Sequence, residues 1–343
     1  MKKLNKEAVL ELVRGFQPSC ILIAAAELDV FTILSGRPMA AAGLAHRIKG
    51  DARAVTVLLD ALSALGLLDK GTGAEPVYSV PPAAAELLAE TGAQCMLGMV
   101  RHLGNCLRGW GQLAGVVLNG KPAIRRPSVL GAGGDLASFI RAMHEISEPL
   151  AMPLVAGLGK LNFTHVLDLG GASGTWTVPF LRLNPGARAT ILDRPEVIPM
   201  ARRLMRKAGL TDRVRLVAGD FMRCALPEGA DLAWVSAIVH QNSRAQNRRL
   251  FKKVFSALEP GGLILVRDIV MDASRTRPAG GAMFAVNMLV NTPGGGTFTL
   301  GELRDDLSAA GFAKVRLLRR GQWMDSVVGA SKPRAVEAHG RSL

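Results

Sequence analysis

The sequence predicts an α/β protein: a doubly wound, mostly parallel sheet preceded by a mostly α-helical winged-helix module. Three observations carry this. From Phe163 onward, short apolar strands alternate with amphipathic helices, the pattern of repeated βα units. One of those strands, Val166–Leu169, runs directly into glycines at 170, 171 and 174 and then a helix. The first ~95 residues instead read as short helices followed by a hairpin, the order of a winged helix.

In the N-terminal part, Val9-Leu10-Leu12-Val13 and Ile21–Ala25 follow helical spacing, with Pro18 expected to break the two runs. Ala41–Ile48 predicts a further helix. Gly50 ends it, and Asp51 is placed to cap the helix from Ala52 to Leu65. Leu67-Leu68, a turn with Gly71 and Gly73, and Val77–Val80 make the wing. The Ala52–Leu65 helix carries one arginine, Arg53, among apolar residues. A helix that reads a DNA groove needs several polar or basic side chains, so this one is expected to pack, and no nucleic-acid partner is expected. Residues 86–150 read as helices with loops at Gly120–Pro122 and Gly131–Gly134. The expected organisation is a dimerisation domain over 1–95, a helical linker and substrate-pocket segment over 96–150, and a catalytic domain over 151–343.

In the second half the expected strands are Val166–Leu169, Ala189–Leu192, Val214–Val217, Leu232–Ser236 and Gly262–Val266. The helices between them fall near Val178–Leu183, Val197–Ala208 and Arg244–Leu258. Ligands of such sheets bind at the carboxyl ends of the strands.

Composition narrows the function. Hydrophobic residues make up 49% of the 343 and charged ones 20%, which excludes a disordered chain. Aromatics are 5%, with Tyr78 the single tyrosine, too few to stack single-stranded nucleic acid. Cys20, Cys95, Cys106 and Cys224 are scattered, so neither a disulfide framework nor a zinc site is expected, and no metal. The N-terminus does not read as a signal peptide, and no run of about 18 residues is apolar and free of charge. The expected location is cytoplasmic, with no membrane span. Net charge is +14. Residues 1–150 hold 15 Lys and Arg against 13 Asp and Glu, and residues 151–343 hold 27 against 15. The excess lies in Arg202, Arg203, Arg206, Lys207 and in Arg244, Arg248, Arg249, Lys252, Lys253, spaced as solvated helix faces.

The glycine loop is the sharpest signal. Glycine permits the tight turn and close approach of backbone to a ligand. Ala172 and Thr175 stand where a dinucleotide-binding loop has its later glycines. The spacing from Asp168 through Gly170 and Gly171 to Gly174 instead fits the loop that binds S-adenosylmethionine (SAM). Asp193 ends the next strand, where a carboxylate can accept ribose hydroxyls, with Arg194 beside it. Asp220, Phe221 and Met222 follow the third strand, offering a carboxylate and apolar side chains to an adenine.

Taken together, these segments resemble the SAM-dependent O-methyltransferases typified by plant caffeate and flavonoid enzymes and bacterial antibiotic and pigment enzymes. Further matching segments are Phe139–Met143, Val239–Ser243, Leu258–Gly262, Asn291–Gly296 and Ala310–Phe312. The resemblance spans nearly the whole chain and implies a homodimer, SAM as methyl donor and S-adenosylhomocysteine as product. It also implies that His240 takes the proton of a small aromatic or polycyclic hydroxyl, a role suited to an imidazole that titrates near neutrality. The family's substrate pocket maps onto Met143, His144, Met283, Asn287 and Met288.

The chain departs from the pattern at four positions. Gln241 stands where an Asp usually follows the base, Thr297 and Gly329 where orienting glutamates are expected, and Ser236 where a lysine meets the cofactor. His240 is thus expected to lack a carboxylate partner. That leaves open an acidic phenol needing little help, another positioned group, or chemistry independent of His240. The alternatives are a non-methylating SAM-binding hydroxylase or decarboxylase and, less favoured, a SAM-responsive DNA-binding regulator.

Overall fold

A computed structural model describes residues 4–334; the outermost residues of the expected first and last domains lie outside it. The chain divides into two compact units, one of residues 1–108 with 125–146, the other of 109–124 with 147–343. Residues 96–150 are therefore shared between the units.

The first unit begins with α1 (Lys6–Arg14), capped by the Asn5 side chain, and α2 (Phe16–Glu27). Gly15 separates them, and Pro18 falls in the first turn of α2, where its missing N–H has no partner to lose. The stretch from Lys6 to Glu27 is long and apolar enough to cross a membrane by length and composition, and almost none of it is buried. Next come α3 (Val30–Gly36), β1 (Met39–Ala40), α4 (Ala41–Ile48) and α5 (Ala52–Ala64). Asp51 caps α5, accepting from the Ala54 amide at 2.8 Å. Strands β2 (Asp69–Lys70) and β3 (Val77–Ser79) complete a small antiparallel sheet in the order β1-β3-β2. Val55, Leu59 and Leu62 of α5 are buried with Phe31, Leu34, Leu44 and Tyr78, so the apolar face of α5 is spent on packing.

Helix α6 (Pro82–Leu88) leads to α7 (Leu97–Trp110), α8 (Leu113–Asn119) and the long α9 (Gly131–Gly157). Gly120 ends α8 in the left-handed region, as expected of a C-cap. Gly131–Gly134, expected as a loop, instead forms the first turn of α9. The Glu145 carboxylate of α9 accepts from the amides of Gly98 and Met99 at 3.2 and 2.9 Å, satisfying donors at the start of α7 that have no partner within the helix.

The second unit is built on a seven-stranded sheet. Its elements in chain order are β4 (His165–Leu169), α10 (Thr177–Leu183), β5 (Arg188–Asp193), α11 (Ile198–Lys207), β6 (Val214–Ala218), β7 (Ala230–Ser236), α12 (Arg244–Ala257) and β8 (Leu258–Asp268). Then follow β9 (Val270–Met271), α13 (Ala279–Asn291), β10 (Phe298–Thr299), α14 (Leu300–Ala309), β11 (Ala313–Arg319) and β12 (Ser326–Ser331). The strand order is β11-β12-β8-β7-β4-β5-β6. The five expected strands pair in parallel, while β11 and β12 add an antiparallel edge that their sequences did not announce. One face of the sheet packs Leu167, Leu169, Val235 and Val266 against Leu250, Phe251 and Val254 of α12. The other packs Val166, Ile191 and Trp234 against Phe180 and Trp176, with Trp234 ring centroids 5.1 and 5.5 Å from those two.

Arg202, Arg203, Arg206 and Lys207 are exposed on α11, as expected. The α12 cluster differs. Arg244 and Arg248 pair with buried Asp306 of α14 at 2.8 and 2.6 Å, and Lys253 donates to the carbonyls of Phe221 and Cys224. Three of its five cations thus hold α14 and the loop after β6, which sequence spacing could not reveal.

Candidate active site

The carboxyl ends of β4, β5, β6, β7 and β8 carry the candidate residues. After β4 the chain turns through Gly170 (φ +64°), Ala172 (φ +49°) and Gly174 (φ +83°). Side chains rarely adopt this left-handed region, and Ala172 holds it without being glycine. A Cβ at Gly171 would lie 2.8 Å from the Asp168 carboxylate and 2.9 Å from Ile191; at Gly174 it would lie 2.7 Å from Met205. The glycines are therefore required by packing.

Two buried acids shape this loop. Asp168 accepts from Thr177 Oγ1 at 2.6 Å through Oδ2, while its Oδ1 is buried without a partner. Burial pushes its carboxyl up to about 7; the nearby Asp193 charge adds to this and the Thr177 hydrogen bond opposes it. Asp193 accepts from the Ala172 amide at 2.8 Å and the Arg194 amide at 2.7 Å. Burial raises it as well, against those two hydrogen bonds. The Arg194 side chain is largely exposed and pairs with Glu196, so its part in the loop is its backbone. Asp220, half-exposed, accepts from the Met222 amide at 2.8 Å, and Phe221 and Met222 pack partly against the core. A carboxylate-bordered glycine turn with an unsatisfied buried oxygen fits a nucleoside cofactor held at the strand ends.

His240 sits in a single 3₁₀ turn, Val239–Gln241, just beyond β7. It is 5% exposed. Its Nδ1 lies 2.9 and 3.0 Å from the two carboxylate oxygens of Asp268, which is 2% exposed at the end of β8. Asp268 is itself fixed by the Ile269 amide at 2.8 Å. The expectation that His240 lacks a carboxylate is thus overturned. The partner comes from the neighbouring parallel strand, where Ser236 of β7 is level with Arg267 of β8. Gln241 turns back to the Ala237 carbonyl, Thr297 reaches the Gly281 carbonyl at 3.4 Å, and Gly329 is a β12 residue whose Cβ would strike Leu318.

Further contacts hold His240 in place. The Gly296 amide donates to its carbonyl at 2.9 Å, and a Cβ on Gly295 would meet that oxygen at 2.4 Å, which explains the glycine at 295. The Phe284 ring stands edge-on to the imidazole, centroids 4.9 Å apart. Phe284 was not among the residues expected there; Met283, which was, is 63% exposed. Asn287 lies one turn beyond Phe284. Its Oδ1 accepts from Trp110 Nε1 at 2.9 Å and Asn291 Nδ2 at 3.0 Å. Met288, on the same face, is buried. Met143 and His144 belong to α9 of the first unit, both partly buried. Ser236 accepts from Arg267 Nη1 at 2.7 Å. Among the described residues no three His, Cys, Asp or Glu side chains gather as a metal site.

The fold and the glycine loop define a nucleoside-cofactor-dependent α/β domain. Residues 129–313 match the O-methyltransferase domain family and residues 10–90 the O-methyltransferase dimerisation domain. The chain belongs to the O-methyltransferase family and is a SAM-dependent enzyme. It is 33% identical over 315 residues to the tetracenomycin polyketide synthesis 8-O-methyltransferase of Streptomyces glaucescens, covering 90% of this chain and 91% of that one. It is 29% identical to the 3-hydroxy-5-methyl-1-naphthoate 3-O-methyltransferase of Streptomyces sahachiroi, covering 90% of each. The human N-acetylserotonin methyltransferase, solved in complex with SAM, superposes with a TM-score of 0.77 at 25% identity, over 97% of this chain and 99% of that one.

Proposed function

We propose that the protein methylates a hydroxyl of a small aromatic or polycyclic substrate, with His240 as the general base and Asp268 as its orienting partner. The His240–Asp268 hydrogen bond carries this reading. A carboxylate against Nδ1 accepts the Nδ1–H, which leaves the lone pair on Nε2, the nitrogen that can take a proton. When bound, SAM supplies an electrophilic methyl group. The imidazole takes the hydroxyl proton as the oxygen becomes a nucleophile, and Asp268 stabilises the resulting cation, as carboxylates do in other His–Asp pairs. Phe284 keeps water from one edge of the ring and offers a surface to a flat substrate. Asn287, its Oδ1 already engaged, offers its amide N–H groups to a substrate oxygen. The relatives that act on polyketide and naphthoate hydroxyls support the aromatic substrate class.

The acceptor hydroxyl would be held by residues of the second unit named above, while Met143 and His144 remain expectations from the sequence. A homodimer is part of the same reading: Val9, Leu10, Leu12, Val13 and Phe16 are exposed along α1 and α2, an apolar surface suited to a second copy.

The experiment is a hydroxynaphthoate assay of wild-type protein and His240→Ala, with S-adenosylhomocysteine affinity measured by calorimetry. Turnover should fall at least ~10²-fold while cofactor affinity stays within about twofold. Turnover surviving intact would rule out the general-base role.

A further inference from the structure

Side chains alternate between the faces of a sheet, so Asp268 and its neighbour Arg267 at the end of β8 point to opposite sides. Asp268 meets His240. Arg267 lies against Trp176, its guanidinium carbon 4.1 Å from the ring centroid, and donates to Ser236 as described. It is 4% exposed, and its Nε is buried without a partner. Burial pulls its pKa down to about 10, which still leaves it charged at neutral pH. The carboxylates close enough to act on it are Asp268 and Asp325. Asp268 is taken by His240, and Asp325 by Arg319 and the Trp323 amide. Among the described residues the guanidinium makes no ion pair. A buried cation with no fixed counter-ion is costly unless a ligand supplies one.

The position of this cation says which ligand. Trp176 follows Gly174 of the glycine loop by two residues. Ser236 ends β7, the strand paired with β4 that leads into that loop. Ser236 accepts from Arg267, so its own hydroxyl hydrogen is free to be donated onward. The three side chains therefore present a fixed positive charge and a hydroxyl donor at the strand ends where the cofactor binds. SAM carries one anionic group, the carboxylate of its amino-acid tail.

We propose that Arg267, braced by Trp176 and aligned through Ser236, is the counter-ion for the carboxylate of the SAM amino-acid tail. The proposal rests on the cofactor assignment and adds to it which part of the cofactor these residues hold. Arginine suits the task because its planar fork matches a carboxylate and its face stacks on an indole.

The test is calorimetric titration of the full chain, wild type and Arg267→Gln, with S-adenosylhomocysteine and with 5′-methylthioadenosine, which lacks the amino-acid tail. Arg267→Gln should weaken S-adenosylhomocysteine at least about tenfold, the scale of a lost charge-assisted hydrogen bond. It should leave 5′-methylthioadenosine within about twofold, and Arg267→Lys should recover part of the loss. Equal weakening of both ligands would make Arg267 a brace for Trp176 and overturn the proposal, as would unchanged S-adenosylhomocysteine affinity. If Arg267→Gln does not fold, wild-type protein is titrated with S-adenosylhomocysteine and its decarboxylated analogue; equal affinities overturn the proposal and a tenfold preference for the carboxylate upholds it. Failure of both nucleosides to bind the wild type would instead overturn the cofactor assignment.

Discussion

His240 Nδ1 lies 2.9 Å from Asp268 Oδ2; Asp268 ends β8, and His240, 28 positions earlier, lies in the turn just beyond the adjacent parallel strand β7. Both are buried, so the bond is shielded from competing water. Because Asp268 also accepts from the Ile269 amide, its carboxylate cannot rotate away without leaving a buried donor unpaired.

Asp268→Asn tests that bond. The amide keeps the shape, removes the charge and can present N–H groups to Nδ1, which favours the tautomer with its proton on Nε2. Turnover should drop by about 10²–10⁴-fold, the range seen when a catalytic His loses its carboxylate, with S-adenosylhomocysteine affinity held within about twofold. Turnover within about twofold of wild type would reduce Asp268 to a packing role.

Asp193→Ala should weaken SAM binding at least ~10-fold. The carboxylate holds the Ala172 and Arg194 amides, so its loss frees the loop and removes the proposed acceptor for the ribose. Titration calorimetry reads the affinity directly, and an unchanged value would remove Asp193 from the cofactor site.

Asp168 gives the apo protein a pH dependence of definite sign. Its carboxyl is raised to about 7 in the folded chain from an ordinary value of 3.8. The folded state therefore binds more protons than the unfolded one between those values, and this group's contribution to stability is lost as pH rises from about 4 to about 7. Asp168→Asn, which cannot ionise, should gain in melting temperature relative to wild type as pH goes from 5 to 8. Scanning calorimetry of both proteins without cofactor provides the comparison. A difference that is flat with pH would mean Asp168 is ionised throughout.

Much of the geometry at the carboxyl ends of β4 and β5 was legible in the sequence, because it is local. The turn from Asp168 to Gly174 needs glycine for steric reasons that act within a few residues, and Asp51 caps α5 from one residue away. The acid at the end of β5 could be anticipated from the βα pattern alone. The surroundings of His240 were less legible. Phe284 and Met283 are adjacent, and helical spacing does not say which of them meets the imidazole. Helix propensity disfavours glycine, so Gly131–Gly134 reads as a loop in sequence, yet the chain there is the opening turn of α9.

What the sequence determined by itself is the class of fold, the family and the tight glycine turn after β4: apolar periodicity and glycine sterics are written in neighbouring residues. The tertiary structure alone decided that His240 has a carboxylate, that Arg267 is a buried charge against Trp176, and that Asp306 gathers Arg244 and Arg248. Each of these depends on which strand or helix lies beside which and in what register. That is set by the burial of whole faces against one another, and no short stretch of sequence specifies it.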